Sequence, residues 1–550
     1  DVFTLSIPMP RIVILDPIAP AGLQLLDAAE DIQYDVQTGL TGPALQQALA
    51  NADGAICRSG VKLDADSLQG GRLLKAIVRA GVGTDNIDKQ AATRQGVVVM
   101  NTPTGNTYST AEHTFALILA LSRNVVPAYQ SLCDGRWDRK EYIGTQLADK
   151  TLGIIGLGKV GQEVAKRAQA FQMRVVGYDP FLSSEQATRL GLDLVTNINE
   201  MLPEIDYLTV HTPLTPETHY LIGAEEIELL KPGARLINCA RGGIYDEAAL
   251  VTGLQSGKLA GVALDVYEQE PCTDSPLFNL PGVLCTPHLG ASTDEAQTQV
   301  SIEAVQLLLA FLRTGEIRHA VNVASVDPAT LAALGGYLDL AFRLGIFLSQ
   351  WHPGRADACR LEYRGEVTQE DLHLLTASFC SGLLEQAMSG DVNIVNAEVL
   401  IRERGIQLVE EAHSEMGAFS SSITAELTGD GESHLASATL FGNNMSRLIR
   451  LGSYRLETYL DGTMLLFTHD DVPGIIGTVG SILGDHQVNI AQMTVGRPGE
   501  QPGGTAIGAL NLDTAPPAAA ISQLSEHPSI RSVQVIQLPL AGQTPPWLPQ

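Results

Sequence analysis

Short apolar runs, each followed by a segment with helical periodicity, characterise the start of the chain. Four of these runs are continuous rather than alternating, which is typical of strands buried on both faces of a parallel sheet. They cover Arg11–Leu15, Gly54–Arg58, Leu74–Arg79 and Gly96–Met100. The pattern therefore predicts an α/β domain in the first part of the chain.

A second α/β region begins with the apolar run Thr151–Ile155, which leads into the glycine pattern G-x-G-x-x-G and then into a helix. Gly156 allows the tight turn, Gly158 lets backbone amides approach a pyrophosphate, and Gly161 lets the helix pack closely on the strand. The next strand ends in Asp179, 18 residues after Gly161. This spacing is close to that of a dinucleotide-binding fingerprint, although a glycine turn that binds nothing is the alternative.

Asp179 also predicts which dinucleotide binds. A carboxylate accepts hydrogen bonds from the ribose hydroxyls and repels a 2′-phosphate. The next two residues, Pro180 and Phe181, supply no cation to offset that repulsion. The expected cofactor is therefore NAD rather than NADP.

The order of these segments predicts two domains with a cleft between them. Thr107–Arg123 has the pattern of a helix that bridges the two domains, and the helix Gln297–Arg313 returns to the first one. We therefore expect a substrate-binding domain over residues 11–105 plus 300–325 and a NAD-binding domain over residues 106–299.

The pattern changes after about residue 330. Helical and alternating segments follow one another over residues 331–458, which predicts an α+β domain. Residues 463–540 form a compact unit that opens with a strand, a polar turn and the start of a helix. The proline-rich tail Ala541–Gln550 is expected to be loose.

Composition and charge disfavour several classes of protein. The 550 residues, 45% of them apolar, suffice for several domains. A net charge of −27 without a basic run argues against nucleic acid and membrane surfaces as partners. The seven scattered cysteines favour neither disulfides nor a metal site. Because no signal peptide or long apolar stretch is present, we expect a cytoplasmic protein.

Three later strands each lead to a residue type that hydride transfer requires, namely Arg241, Glu270 and His288. The carboxyl ends of parallel strands face the ligand crevice, so the three side chains are expected to converge there. A histidine is suited to accept the proton of a 2-hydroxy acid near neutral pH. Glu270 would orient the ring, and Arg241 would bind the substrate carboxylate and polarise the carbonyl oxygen. Glu268 competes with Glu270, and ordinary surface or packing roles are the alternative for each residue.

Four segments resemble motifs of the D-isomer-specific 2-hydroxyacid dehydrogenases. They are Val78–Asp88, Ala240–Gly243, Asp265–Pro271 and Pro287–Thr293. The resemblance covers residues 11–330 and implies that Arg241, Glu270 and His288 are catalytic. It favours Glu270 over Glu268 because Glu270 precedes Pro271.

The resemblance also implies the positions that line NAD. Val82 departs from the family, which often has a hydroxyl side chain at this position. His113 and His211 are expected to be structural. The NAD-lining positions are Val82, Gly156, Gly158, Lys159, Val160, Gly161, Asp179, Thr212, Cys239, Ala240, Asp265, Leu289, Gly290 and Ala291.

Within this family, the resemblance implies oxidation of 3-phospho-D-glycerate to 3-phosphohydroxypyruvate, the first step of L-serine biosynthesis. Such a substrate brings about three negative charges into an acidic protein, so local cations must compensate. Arg58 and Arg79 match substrate-contacting positions of the family, with a capping or ion-paired arginine as the alternative. Arg139 and Lys140 are weaker candidates that would reach the cleft of a partner subunit.

Two other functions stay open from the sequence. A glycerate or hydroxypyruvate reductase, or another D-2-hydroxyacid dehydrogenase, shares the catalytic residues. Arg58 and Arg79, together with the regulatory C-terminal part, argue against it. A corepressor-like member of the fold would bind NAD as a sensor and act through protein partners, and the C-terminal unit argues against that function.

The C-terminal half resembles the longer members of the family. The predicted fold is α/β, with two Rossmann-like parallel-sheet domains and a cleft, followed by an α+β intervening domain and a βαββαβ ACT domain. The resemblance implies a homotetramer with L-serine as effector, bound by Asp471 and Asn489 across a dimer interface, although the ACT unit would alternatively only dimerise. Three arginines lie close together in the sequence, namely Arg447, Arg450 and Arg455. They could bind an anion, but we favour the alternative that they are ordinary surface arginines.

Overall fold

The computed structural model describes residues 9–71, 73–323, 328–352, 354–385, 392–429, 431–442, 444–499 and 503–547. The chain divides into two compact units, which are described separately. One comprises the described parts of Asp1–Pro17, Leu23–Asn101 and Ala304–Gln550, and the other comprises Ile18–Gly22 and Thr102–Glu303. The four predicted domain boundaries stay predictions, and residues 324–325 of the first predicted domain lie outside the described residues.

A wholly parallel five-stranded sheet opens the chain, as the continuous apolar runs predict. Its elements are β1 (Arg11–Ile14), α1 (Pro20–Asp27), β2 (Gln33–Val36), α2 (Gly42–Ala50), β3 (Gly54–Cys57), α3 (Ala65–Leu68), β4 (Ala76–Arg79), α4 (Lys89–Arg94) and β5 (Val98–Asn101). The strand order is β2-β1-β3-β4-β5. Cys57 pairs with Arg79, so Arg58 and Arg79 lie on adjacent strand ends at the carboxyl edge of the sheet. Ligands of open α/β sheets bind at this edge.

The second unit contains a parallel seven-stranded sheet, preceded by the helices α5 (Thr107–Ser122) and α6 (Val125–Cys133). Its elements are β6 (Thr151–Ile155), α7 (Lys159–Ala170), β7 (Arg174–Tyr178), α8 (Ser184–Arg189), β8 (Asp193–Leu194), α9 (Ile198–Met201), β9 (Tyr207–Val210), α10 (Ala224–Leu229), β10 (Ala234–Asn238), α11 (Glu247–Gln255), β11 (Leu259–Leu264) and β12 (Val283–Cys285). The helix α12 (Asp294–Thr314) follows, and its residues from Ala304 onward belong to the other unit. The strand order is β12-β11-β10-β9-β6-β7-β8. The order reverses between β6 and β9, which is where doubly wound sheets bind dinucleotides.

Helix α5 packs its apolar face into the core of this second unit. Phe115, Ile118 and Leu121 are buried together with Leu152 and Ile154 of β6. The helix ends at Ser122, and Asn124 follows in the left-handed region with φ of +51°. This packing fixes the helix relative to the carboxyl ends of the sheet.

A mixed six-stranded sheet with a helical layer follows. Its elements are α13 (Pro328–Trp351), β13 (Ala358–Gly365), α14 (Leu372–Leu384), α15 (Ala397–Glu403), β14 (Gln407–His413), β15 (Ser421–Gly429), β16 (Glu432–Phe441), β17 (Met445–Leu451) and β18 (Tyr454–Tyr459). The order is β14-β13-β15-β16-β17-β18, with β13 and β14 parallel and the other pairs antiparallel. A Cβ on Gly382 would lie 2.0 Å from the carbonyl oxygen of Phe342, so glycine permits the close approach of α14 to α13. The predicted α+β architecture is confirmed.

The last sheet has the predicted βαββαβ topology. Its elements are β19 (Thr463–Asp470), α16 (Ile475–Asp485), β20 (Ile490–Gly496), β21 (Thr505–Leu512), α17 (Ala518–Ser525) and β22 (Ile530–Gln537). The order is β20-β21-β19-β22, and all neighbours are antiparallel.

The expectation of a loose C-terminal tail is wrong for its described part, Ala541–Trp547. The buried Arg343 of α13 donates hydrogen bonds to the carbonyl oxygens of Leu540 at 3.0 Å and Gln543 at 2.7 Å. Trp547 donates through Nε1 to Ser381 Oγ at 3.0 Å. A buried guanidinium with several donors needs such acceptors, so it holds the tail in place. Residues 548–550 lie outside the described part of the chain.

Candidate active site

The glycine turn between β6 and α7 has the geometry of a phosphate-binding turn. Gly156 has φ of +90°, and a Cβ there would lie 2.7 Å from the carbonyl oxygen of His211. A Cβ on Gly161 would lie 2.0 Å from the carbonyl oxygen of Gly156, whereas one on Gly158 would meet no atom within 4 Å. The turn is therefore closely packed at two glycines and open at Gly158, where the free amides at the start of α7 attract a phosphate.

Asp179 follows β7 and is tied to this turn. Leu157 N donates to its Oδ2 at 2.7 Å, and Phe181 N donates to its Oδ1 at 2.8 Å. A carboxylate oxygen accepts more than one hydrogen bond, so both can still accept from a ribose hydroxyl.

Thr212, after β9, has a buried Oγ1 with no partner among the described residues. A bound dinucleotide would satisfy this hydroxyl, so the residues present fit NAD.

Arg241 follows β10 on a turn that the sequence analysis did not assign. Asn238, the last residue of β10, accepts a hydrogen bond from Ala240 N at 2.9 Å and donates to the carbonyl oxygen of Arg241 at 2.8 Å. Burial raises the pKa of the adjacent Cys239 thiol to about 12, so this side chain is neutral near pH 7. In the sequence, Asn238 could have been recognised as a polar residue at the end of an otherwise apolar strand.

Glu270 and His288 form a direct pair, with 2.7 Å between Oε2 and Nδ1. Tyr267 N donates to the other carboxylate oxygen at 3.0 Å. Partial burial raises the pKa of Glu270, but His288, the Tyr267 amide and Arg241 outweigh it, and the net pKa lies below its ordinary value. The competing Glu268 accepts instead from Tyr220 at 3.2 Å. The structure therefore places Glu270, and not Glu268, against the histidine.

The backbone at His288 adopts the left-handed region, with φ of +56°. The two following amides, Leu289 N and Gly290 N, donate to Oδ1 and Oδ2 of Asp265 at 2.7 and 2.8 Å. Thr286 also donates to Asp265 Oδ1, at 2.6 Å. The Asp265 side chain is fully buried, and these donors outweigh burial and lower its pKa. Asp265 thus supports the turn that carries His288.

The two histidines expected to be structural have different environments. Burial lowers the pKa of His211 to about 4, and its Nε2 lies 3.1 Å from Thr209 Oγ1, which is consistent with a structural role. His113 Nε2 lies 3.2 Å from Asp265 Oδ1. His113, Cys239 and Asp265 bring potential metal ligands within 4.8 Å of one another. Because hydrogen bonds occupy both oxygens of Asp265, we interpret this cluster as a hydrogen-bond network.

The other predicted NAD-lining positions differ in exposure. Lys159 and Leu289 are exposed at the start of α7 and beside His288. The half-buried and buried positions are Val82, Val160, Ala240, Gly290 and Ala291.

In the first unit, the loop after β3 holds Arg58 rigidly. Its amide donates to Asp16 Oδ2 at 2.6 Å, and Asn86 donates to its carbonyl oxygen at 2.7 Å. The guanidinium of Arg79 lies against Gly81, where a Cβ would come within 1.8 Å of Nη1. Asp16 and Asn86 were missed by the sequence analysis because they lie far along the chain from the arginine that they support.

The two effector candidates lie at opposite ends of the last sheet. Asp470, next to Asp471, pairs with Thr505 at one end of β21, and Ile490, next to Asn489, pairs with Leu512 at the other. At roughly 3.3 Å per residue, the length of β21 separates them within one chain. Asp471 accepts from Arg497 at 2.8 Å, and Asn489 donates to Asp513 at 2.7 Å. A shared ligand would therefore require two chains.

The favoured expectation of ordinary surface arginines is wrong for Arg447. This side chain is buried, and its guanidinium carbon lies 3.4 Å from the centroid of the Tyr459 ring. Arg450 and Arg455 are exposed, and Arg455 lines a cavity of about 570 Å³ together with Arg497.

Exposed apolar side chains lie on α6 and on the segment that follows it, here called the apolar surface beside α6. Trp137 and Ile143 are 79% and 80% exposed, and the apolar side chains of Val125, Val126 and Tyr129 are also exposed. Arg139 and Lys140 lie on the same stretch and point to solvent.

Among the described helices, none has the length and apolar character needed to cross a membrane.

Three family models match successive parts of the chain. Residues 115–290 match the D-isomer specific 2-hydroxyacid dehydrogenase, NAD binding domain. Residues 333–452 match the D-3-phosphoglycerate dehydrogenase intervening domain, and residues 463–528 match the ACT domain. The NAD-binding fold and the order of the C-terminal domains predicted from the sequence are thereby confirmed.

Curated relatives match the chain over nearly its full length. D-3-phosphoglycerate dehydrogenase of Methanocaldococcus jannaschii is 39% identical, with 96% of this chain and all of the relative covered. The Bacillus subtilis protein of the same name gives the same identity and coverage.

Solved structures match slightly more than half of the chain. A glyoxylate reductase from Paecilomyes thermophila has a TM-score of 0.53 at 28% identity, over 57% of this chain and 98% of its own. D-lactate dehydrogenase from Escherichia coli has a TM-score of 0.50 at 25% identity, over 55% of this chain and 96% of its own. The chain therefore belongs to the D-3-phosphoglycerate dehydrogenase family, within the D-isomer-specific 2-hydroxyacid dehydrogenases.

Proposed function

We propose that the protein catalyses the NAD-dependent oxidation of 3-phospho-D-glycerate to 3-phosphohydroxypyruvate, the first step of L-serine biosynthesis. The observation that carries the proposal is the 2.7 Å contact between His288 and Glu270 at the carboxyl edge of the dinucleotide-binding sheet. The full-length similarity to relatives named D-3-phosphoglycerate dehydrogenase supports the choice of substrate.

His288 is the base of the proposed reaction. Its Nδ1 is engaged by Glu270, which leaves Nε2 to accept the proton of the substrate hydroxyl. When bound, NAD would supply the acceptor for the hydride that leaves the substrate carbon. The Glu270 carboxylate favours the imidazolium that His288 becomes and fixes the orientation of its ring. In the reverse direction, His288 returns the proton to the carbonyl oxygen.

Arginine side chains neutralise the substrate in this proposal. Arg241 pairs with the substrate carboxylate and polarises the oxygen on which negative charge develops. Arg58 and Arg79 are the candidates for the phosphate group, because they lie on adjacent strand ends of the first sheet. A guanidinium presents several donors in a plane and suits this anion.

Substrate preference tests the proposal against its alternatives. We would follow NADH oxidation with 3-phosphohydroxypyruvate, hydroxypyruvate, pyruvate and 2-oxoglutarate. A strong preference for the phosphorylated acid is expected. Preference for an unphosphorylated acid would instead indicate a sister reductase, and NADH binding without turnover of any 2-keto acid would indicate a sensor.

We also propose that L-serine regulates the enzyme by binding between the ACT domains of two chains. The separation of Asp471 from Asn489 within one sheet supports a site to which each chain contributes one of them. L-serine should then slow turnover, and Asn489→Ala should weaken its effect without changing the uninhibited rate. Turnover that is insensitive to L-serine would remove this part of the proposal and leave the dehydrogenase assignment intact.

A homotetramer is the assembly we propose. The exposed Trp137 and Ile143 beside α6 form an apolar surface that self-association would bury. The ACT domain would supply a second interface.

A further inference from the structure

His113 lies in a partly buried polar network that the proposed mechanism does not use. It stands on α5, and its Nε2 is 3.2 Å from both Asp265 Oδ1 and Thr286 Oγ1. These two partners are 152 and 173 residues further along the chain. The network therefore links α5 to the carboxyl ends of β11 and β12, next to the turn that carries His288.

The direction of the hydrogen bonds in this network follows from the groups themselves. The Thr286 hydroxyl donates its single proton to Asp265 Oδ1 at 2.6 Å. An ionised carboxylate only accepts, and the threonine oxygen has only lone pairs left. His113 Nε2 must therefore carry a proton and act as the donor in this contact.

Asp265 passes this support on to the backbone around His288. Its side chain has no solvent exposure, and its oxygens accept from His113, from Thr286 and from the amides of Leu289 and Gly290. Leaving a buried acceptor short of a donor is unfavourable and promotes a rearrangement that restores the hydrogen bond. The amides next to His288 would move with any such rearrangement of Asp265.

His288 needs this support because of its backbone conformation. Its φ of +56° lies in the left-handed region, which a residue with a Cβ occupies only when the surroundings impose it. Glu270 holds the ring at Nδ1, and Asp265 holds the two residues that follow. The ring and the backbone of His288 are thus fixed by separate carboxylates.

We infer that His113 is a positioning residue that acts through Asp265 to fix the turn carrying His288. The inference rests on the proposed role of His288 as the base. Because the hydrogen bonds of His113 reach Asp265 and Thr286 and its effect on His288 passes through Asp265, its loss should affect turnover rather than substrate affinity.

The test compares two substitutions of one side chain. His113→Leu removes the donor at similar volume, and His113→Gln places an amide N–H near the position of Nε2. With NADH and the 2-keto acid that the wild type reduces fastest, we expect His113→Leu to lower kcat about tenfold or more. KM for the 2-keto acid should stay within about twofold, and His113→Gln should recover most of kcat.

Two further variants serve as controls. Ser122→Ala removes a buried hydroxyl on the same helix, where it contacts the carbonyl oxygen of Ile118 and the hydroxyl of Tyr207, and should leave kcat unchanged. If His113→Leu does not fold, Thr286→Val removes the other side-chain donor to Asp265 and should give the same pattern.

A double-variant cycle separates positioning from general damage. If His113 acts only through His288, adding His113→Leu to His288→Asn should cause no further loss of the residual rate. An equal loss on both backgrounds, wild-type kcat in His113→Leu, or equal impairment in His113→Gln would each overturn the inference. A wild type without 2-keto acid reductase activity would instead contradict the proposed function itself.

Discussion

At the scale of single residues, the structure explains why a carboxylate stands beside the proposed base. Glu270 is half-buried, and burial alone would raise its pKa, but its contacts with His288, Tyr267 N and Arg241 lower it. Glu270 is therefore ionised at neutral pH and well below it. An ionised partner favours the protonated form of the ring that donates the proton in the reductive direction.

This pairing predicts a pH effect for Glu270→Gln. Loss of the carboxylate removes the negative charge that favours the protonated ring, so reduction should decline at a lower pH than in the wild type. The measurement is kcat/KM for reduction of 3-phosphohydroxypyruvate as a function of pH. Superimposable profiles of wild type and variant would contradict the assigned pairing.

The residues at strand ends could be predicted from the sequence, whereas their supports could not. Arg241, Glu270 and His288 each follow an apolar strand, and a parallel sheet brings such positions to one edge. The role of His113 was missed because its partner Asp265 is 152 residues away. The left-handed backbone of His288 also has no local signal, since the residue at this position is not a glycine.

At the scale of elements, the turn between β6 and α7 depends on glycines for two different reasons. Gly161 is required by packing, because a Cβ would lie 2.0 Å from the carbonyl oxygen of Gly156. Packing does not require Gly158, because a Cβ there would meet no protein atom within 4 Å, and we propose that the bound dinucleotide requires it. The two glycines of the motif are therefore needed for different physical reasons.

Alanine at each glycine should separate the two causes. Gly161→Ala should lower both the midpoint of unfolding and NADH affinity, at a cost of about 1–3 kcal/mol for the overpacked turn. Gly158→Ala should keep the unfolding midpoint and lose NADH affinity, because the methyl group occupies space needed by the pyrophosphate. Thermal unfolding and NADH fluorescence titration measure both quantities. Equal destabilisation by the two variants would be evidence against this distinction.

The sheets were predictable because continuous apolar runs and the glycine pattern are local signals. Their strand order follows the known rule for doubly wound sheets. The path of the tail was not predictable, because Ala541–Trp547 is held by side chains from distant helices. Arg343 and Ser381 supply those contacts.

At the scale of the whole molecule, Arg343 joins the C-terminal tail to α13. Its side chain is only 2% exposed, and it pairs with Asp339 at 2.6 Å while donating to the carbonyl oxygens of Leu460, Pro539, Leu540 and Gln543. Burial raises the pKa of Asp339 although Arg343 opposes the shift. The arginine therefore neutralises a carboxylate and satisfies the backbone of the tail.

Arg343→Met should consequently destabilise the C-terminal half by about 3–5 kcal/mol, because a buried carboxylate is left without its cation. We expect a lower urea midpoint for this half and faster proteolysis of the tail. The control is Arg355→Met, since Arg355 is 80% exposed and its substitution should change little. A tail equally protected in both variants would show that Arg343 does not hold it.

The apolar surface beside α6 predicts an effect on assembly. Trp137→Lys combined with Ile143→Lys places two charges where the proposed interface would exclude water, so sedimentation should show a smaller assembly. Met416→Lys changes an exposed apolar side chain elsewhere and should leave the assembly intact. An unchanged sedimentation coefficient in the double variant would place the interface on another surface.

The most direct test of the proposed chemistry is the kcat of His288→Asn for the reduction of 3-phosphohydroxypyruvate, measured together with NADH binding. If His288 transfers the proton, kcat should fall about 10²–10⁴-fold while the Kd for NADH stays within about twofold. A kcat within tenfold of the wild type would contradict the assignment of His288 as the catalytic base.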